Sequence, residues 1–145
     1  NLKEVKMTEK IHPSWDTGGY EGRQDHIRDL KIEPPLETIE NMYSDRDYTV
    51  ELNTEEFSSI CPKTGLPDFA KLVIKYIPDK YLVEEKSLKL YLTGYRNVGI
   101  FQEHATNKIL DDFVKTVKPR YVQIVAYWNS RGGIATTVTV EWKRG

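Results

Sequence analysis

The sequence predicts an α+β domain in which an antiparallel four-stranded sheet carries two helices on one face. Three observations predict it. Apolar residues alternate with polar ones in some stretches, as on half-buried strands. In others they recur every three or four residues, as on one face of a helix. The stretches follow in the order strand, strand, helix, helix, strand, strand, the pattern of a layered α+β unit.

The first strand is read from Tyr48, Val50 and Leu52 alternating with Thr49, Glu51 and Asn53, and the second from Leu72, Ile74 and Tyr76. Between them, the run from Glu55 to Phe69 is broken by Pro62, Gly65 and Pro67. That predicts a constrained connection with Cys61 and Asp68 on it, outside any regular element. Leu88, Tyr91, Leu92 and Tyr95 mark one face of a helix from Lys86 to Arg96, stopped at Asn97 to Gly99. Phe101, Ala105, Ile109, Phe113 and Val117 mark a longer helix. Lys115 and Lys118 sit near its C-terminal end, where cations suit the dipole, and Pro119 limits its extension. The last two strands, Tyr121 to Trp128 and Ile134 to Trp142, flank the turn residues Ser130, Arg131, Gly132 and Gly133. Residues 1–45 hold Pro13, Gly18, Gly19, Gly22, Pro34 and Pro35 among charges and no sustained pattern. They are expected to form a largely irregular N-terminal arm, leaving 46–145 as a single domain.

Composition narrows the function. At 145 residues the chain holds one core and no separate cofactor domain, so a dinucleotide site would need help from an oligomer interface. Lys and Arg total 21 against 22 Asp and Glu, which gives no global field to recruit nucleic acid or an anionic membrane. No apolar run is long enough to span a bilayer, and the charged Asn1 to Lys10 segment is unlike a signal peptide, so a cytoplasmic protein is expected. The lone Cys61 excludes an intrachain disulfide and a cysteine zinc cage, and His12, His26 and His104 are scattered, so no metal site is expected.

The residues that can do chemistry fall in four places. In Cys61-Pro62-Lys63-Thr64-Gly65-Leu66-Pro67-Asp68 a thiol, an ammonium and a carboxylate share a proline-stiffened segment. A nearby cation favours the nucleophilic thiolate, although a lone cysteine is more often a small buried hydrophobe. Lys86 and Lys89 lie three apart, so one helical face can offer both to phosphates or simply to water. Arg131 before Gly132 and Gly133 is a comparable case, since glycine admits a phosphate but also makes a turn. Phe101-Gln102-Glu103 opens the long helix, where a carboxylate either accepts from N–H donors of a purine-like edge or complements the helix N-terminus. No Walker loop or G-x-G-x-x-G fingerprint is present.

Several of these blocks, in this order, closely resemble the single-module QueF family of 7-cyano-7-deazaguanine (preQ0) reductases. The matching segments are Phe57 to Phe69, Glu84 to Tyr91, Tyr95-Arg96-Asn97, Phe101 to Glu103 and Arg131-Gly132-Gly133. The resemblance implies the tunnelling fold, whose repeating unit is the element order read above. It also implies NADPH-dependent reduction of the preQ0 nitrile to an aminomethyl group, in queuosine (tRNA modification) biosynthesis. By resemblance Cys61 forms a thioimide and Asp68 supplies the proton. Glu103, with Phe101, Gln102 and Ser87, binds the substrate, while Lys86, Lys89 and Arg131 hold NADPH. Sites between subunits imply a homo-oligomer, a pentamer or decamer, with preQ0 as its small-molecule partner and no direct nucleic acid.

Two positions depart from the family pattern. Gln102 stands where the family has a histidine, so an imidazole that titrates near neutrality is absent there. Glu85 stands where the family prefers Ser or Leu, adding a negative charge beside Lys86 and Lys89. Two alternatives remain within the same fold: a QueF-like amidinotransferase acting on preQ0-modified tRNA, and a non-catalytic purine-binding protein. The Glu84 to Tyr91 segment, which amidinotransferases lack, argues against the first. Retention of both Cys61 and Asp68 argues against the second.

Overall fold

The computed structural model describes residues 26–145, so the greater part of the expected N-terminal arm, residues 1–25, lies outside the described residues. Six strands and two helices follow: β1 (Thr38–Glu40), β2 (Val50–Ile60), β3 (Pro67–Ile77), β4 (Tyr81–Val83), α1 (Glu85–Thr93), α2 (Gln102–Val117), β5 (Tyr121–Arg131) and β6 (Ile134–Lys143). The main sheet has the order β2-β3-β5-β6, antiparallel throughout. The short strands β1 and β4 form a separate antiparallel ribbon. The expected α+β class and element order are present. The ribbon was not expected, because three-residue strands are too short to show a period.

Helix α1 starts where its sequence satisfies free N–H groups, and α2 stops where its sequence turns the chain away. The Glu84 carboxylate accepts from the N–H groups of Lys86 and Ser87, both at 2.8 Å, and so caps α1. Helix α2 ends at Lys118 in the left-handed conformation (φ 52°), directly before Pro119. Both helices bury their apolar stripes on one face of the sheet, whose inward residues include Leu72, Ile74 and Tyr76 of β3 and Val122, Ile124 and Ala126 of β5. Phe57 sits at the centre of an aromatic group, with ring centroids 5.2 Å from Tyr95 and 5.6 Å from Trp128. Between the helices, the Tyr91 hydroxyl donates to Asp112 at 2.6 Å, and the buried Lys108 ammonium pairs with the same carboxylate at 3.1 Å.

Two register shifts decide which side chains reach the helix-covered face. On β2, Thr54 pairs with Leu72 but Phe57 with Ala70, so one extra residue is inserted at Glu55 and Glu56. Before the shift Leu52 and Thr54 face the helices; after it Phe57 and Ser59 do. On β5, Trp128 pairs with Thr136 but Arg131 with Ile134, which inserts one residue before Arg131 and turns it to the side of Trp128. The β5–β6 turn is the pair Gly132 and Gly133, with φ of 57° and 79°, values that glycine adopts without strain.

These shifts correct one expectation. The segment from Glu55 to Phe69 is mostly strand: β2 runs on to Ile60 and β3 begins at Pro67, so Asp68 lies inside a strand and only Cys61 to Leu66 connect them. The inserted residue breaks the two-residue period, and proline is tolerated at the first position of a strand. At the opposite end of the sheet, Arg120 pairs with Asp47 at 2.6 Å and Asp79 at 3.0 Å, and Arg144 meets Asp79 at 2.6 Å, tying three connections together.

Gly94, at the end of α1, lies against the chain entering β1. A Cβ added there would stand 2.5 Å from the Glu33 carbonyl oxygen and 2.9 Å from Ile32 Cγ2. Gly94→Ala is therefore expected to destabilise the fold by about 1–3 kcal/mol, the range for overpacking. Urea denaturation checks it, and an unchanged midpoint would show that the contact yields without strain.

Candidate active site

The β2–β3 connection holds the thiol in a tight loop. The Cys61 N–H donates to the Leu66 carbonyl at 2.9 Å, and the Gly65 N–H donates back to the Cys61 carbonyl at 2.9 Å, with Gly65 at φ 71°. Preceding Cys61, the Ile60 N–H donates to the Val98 carbonyl at 2.9 Å and the Ile100 N–H to the Ile60 carbonyl at 3.0 Å. Because Ile60 bridges Gly99, the segment Phe101 to Glu103 begins directly beside the thiol loop.

Cys61 is 5% exposed and Asp68 2%. Arg131 reaches over both from the end of β5. Its Nη1 lies 2.8 Å from Asp68 Oδ1, and its Nη2 donates to Cys61 Sγ at 3.7 Å. The carboxylate contact is an ion pair without hydrogen-bond alignment, since Oδ1 has no hydrogen-bond partner. Directly across from Asp68 in the ladder, the fully buried Ser59 Oγ also has none.

Burial pushes the Cys61 thiol up. Hydrogen bonds from the Thr64 hydroxyl, from the Thr64 and Lys63 N–H groups and from Arg131 outweigh it, so the thiol is held below its ordinary value. For Asp68 the balance is reversed. Burial raises its carboxyl, and the Arg131 charge only partly opposes the rise. A thiol tuned toward thiolate beside a carboxyl tuned toward the acid is the pairing that addition to an unsaturated carbon with proton delivery requires.

The other expected site residues divide. Phe101, Gln102 and Glu103 stand at the start of α2: Phe101 is its N-cap residue with no side-chain cap bond, Gln102 is half-buried and Glu103 exposed. Arg131, expected at the cofactor, contacts Asp68 and Cys61. Ser87, expected at the substrate, is buried in α1, where its hydroxyl accepts from the Glu37 N–H at 2.9 Å and donates to the Glu84 carbonyl at 2.7 Å. It holds the β1 entry to the helix. Lys86 and Lys89 are exposed on α1 and make no ion pair among the described residues. Lys89 lines a groove of about 440 Å³ between α1 and the edge of β2, with Leu88 and Leu92 on its floor and Arg96 at one end. The groove offers one ammonium and one guanidinium beside apolar side chains, with the carboxylates Glu51, Glu56 and Glu85 also on its wall, while Lys86 lies outside it.

Thr64 and Ser59 were not anticipated. Thr64 carried a readable signal, a hydroxyl ahead of a turn glycine, and its Oγ1 accepts from the Leu66 N–H at 3.2 Å. Ser59 carried none. Among the described residues no group of three His, Cys, Asp or Glu side chains comes together as a metal site would.

The family model described as QueF-like protein matches residues 67–145. The chain is 57% identical over 108 residues to the NADPH-dependent 7-cyano-7-deazaguanine reductase of Chloroherpeton thalassium, covering 74% of this chain and 93% of that one. It is 50% identical over 139 residues to the enzyme of the same name from Thermoanaerobacter pseudethanolicus, covering 95% and 98%. Among solved structures, the apo crystal structure of the archaeosine synthase QueF-Like superposes with a TM-score of 0.60 at 25% identity, over 64% of this chain and 91% of that one.

The raised Asp68 carboxyl has a consequence for stability. The folded chain binds a proton that the unfolded chain has lost above about pH 4, so stability falls as pH rises through the folded titration. Asp68→Asn, which removes the buried charge, is expected to abolish turnover yet be more stable than the parent near pH 8. The advantage should shrink as pH is lowered toward 4. Chemical denaturation at several pH values checks it, and a variant less stable at pH 8 contradicts it.

Proposed function

The chain belongs to the QueF family, and from that premise we propose that it reduces the nitrile of 7-cyano-7-deazaguanine to an aminomethyl group with NADPH, in the making of queuosine. One observation carries the reading: a lowered thiol and a raised, buried carboxyl stand together at the end of one hairpin, under one guanidinium.

Cys61 Sγ adds to the nitrile carbon, and Asp68 gives its proton to the nitrogen as the carbon–sulfur bond forms. The inert triple bond becomes a thioimide, whose carbon accepts hydride. Bound NADPH supplies that hydride, and the full conversion to an amine takes two. Departure of Cys61 as thiolate after the first reduction restores the nucleophile. The buried site keeps water from the thioimide, which hydrolysis would otherwise divert. On this reading Glu103 accepts from the N–H donors of the deazaguanine edge, with Phe101 and Gln102 beside it, and the nearness of that segment to the thiol loop supports it. An uncharged Gln102 leaves proton delivery to Asp68 alone.

Residues 46–145 carry every group this scheme uses. They do not place all of them at one point. Lys89 lines the groove together with β2 residues from Glu51 to Phe57, four to ten residues before Cys61 and roughly 13–33 Å from it at the rise of a strand. Strands β2 and β6 have no second neighbour among the described residues, so a second copy can pair along either edge. A homo-oligomer, a pentamer or decamer, would bring the α1 lysines of one subunit toward the thiol of another. No helix among the described residues is long and apolar enough to cross a membrane, and the cytoplasm is the proposed place of work. The amidinotransferase alternative draws support from the structural neighbour, but at 25% identity against 50–57% for the reductases.

Cys61→Ala is expected to abolish a covalent adduct with 7-cyano-7-deazaguanine, seen by intact-mass spectrometry, together with NADPH consumption. An adduct of full yield in the variant would remove Cys61 as nucleophile. Lys89→Ala is expected to raise the KM for NADPH roughly ten- to a hundredfold through loss of a charge-assisted hydrogen bond, with adduct formation intact. An unchanged KM at fixed salt would place the cofactor elsewhere.

A further inference from the structure

We propose that Arg131 is the positioning residue of the Cys61–Asp68 pair, a cation that bridges the two side chains and fixes the charge and geometry in which they meet the nitrile. The role differs from holding a cofactor phosphate. It rests on the reductase reading for what the pair does, though the contacts themselves do not.

The architecture is arranged for this contact. Without the residue inserted in β5 ahead of Arg131, the two-residue period would turn its side chain to the opposite face of the sheet. With it, the guanidinium lies 2.8 Å from Asp68 Oδ1 and 3.7 Å from Cys61 Sγ. Asp68 is 2% exposed and has no other ion-pair partner among the described residues, whereas Arg131 is 42% exposed at its side chain. The carboxyl is therefore walled in by protein, and the cation closes it off from the solvent side. From β2 and its loop the pair faces the Thr64 hydroxyl, the Thr64 and Lys63 N–H groups and the neutral Ser59; from β3 comes Asp68 itself, from β5 Arg131, and the segment opening α2 brings the carboxylate of Glu103 beside the loop.

The signature is directional. Arg131 favours the ionised form of both partners, so its loss should move both titrations upward, and they move as a coupled pair. A rate that needs one group ionised and the other protonated then keeps its bell shape and slides to higher pH. A phosphate-holding residue would leave the profile in place. For Cys61 the local loop bonds from Thr64 and Lys63 outrank Arg131, so the displacement should be smaller than complete loss of the tuning.

The test uses the full chain, Arg131→Gln and Arg131→Lys. Alkylation of Cys61 by iodoacetamide is followed by intact mass across pH, without nitrile or cofactor. Arg131→Gln should be alkylated roughly three- to tenfold more slowly than the parent near pH 7, because a thiol with a higher midpoint holds less thiolate there. Arg131→Lys, which keeps the charge, should recover most of the difference. In turnover, both limbs of the kcat/KM profile for the nitrile should move alkaline in Arg131→Gln. An alkylation profile identical to the parent, accompanied only by a higher KM for NADPH, overturns the proposal. Should the parent consume no NADPH with this nitrile, the reductase reading fails, and the alkylation comparison still decides the role of Arg131.

Discussion

A strand has two faces, and the whole site depends on which one its residues occupy. Two single-residue insertions set that choice, one in β2 at Glu55 and Glu56 and one in β5 ahead of Arg131. The first turns Phe57 into the aromatic centre and Ser59 toward Asp68. The second brings a guanidinium from the far hairpin over the thiol. Remove either shift and the hydrogen-bond ladders survive, but Cys61, Asp68 and Arg131 no longer share a side.

Much of this was legible in the residues themselves. The four strands and two helices follow from the spacing of apolar residues, because burial on one face imposes a period of two or 3.6. The Gly132–Gly133 turn follows from positive φ. Lost in the sequence were features in which period and contact are non-local. The register shifts erase the alternation between Glu55 and Phe69, so a strand reads as a loop. Ribbon strands of three residues carry no period. Cys61 and Asp68 were identifiable as a local pair of reactive types, but not their opposite tuning, which for Cys61 rests on the folded loop bonds from Thr64 and Lys63 with Arg131 adding to them, and for Asp68 on burial. Ser87 shows the converse: it lies in the matched Glu84 to Tyr91 segment, yet its hydroxyl is spent on Glu37 and Glu84.

Function and stability oppose each other in one corner of the fold. A buried carboxyl with poorly aligned hydrogen bonding, beside a buried hydroxyl with no partner, is a place where folding leaves polar groups unsatisfied. The rest of the chain offsets that cost. The aromatic packing around Phe57 lies next to it, and at the other end of the sheet Arg120 and Arg144 draw the connections together through Asp79. Such a division, with a well-satisfied frame and a deliberately uneasy site, is the usual relation between a scaffold and its chemistry.

The short hairpin that carries Cys61 and Asp68 also orders events in time. Its loop spans only Cys61 to Leu66, so closure costs little entropy and can occur as soon as β2 and β3 leave the ribosome. Arg131 belongs to a strand synthesised far later, after both helices. The newborn chain thus brings Cys61 and Asp68 together as neighbours well before the distant Arg131 and the enclosing core reach them. The loop bonds from Thr64 and Lys63 that lower the thiol come with that early hairpin, whereas the burial that raises the Asp68 carboxyl comes only with the enclosing core.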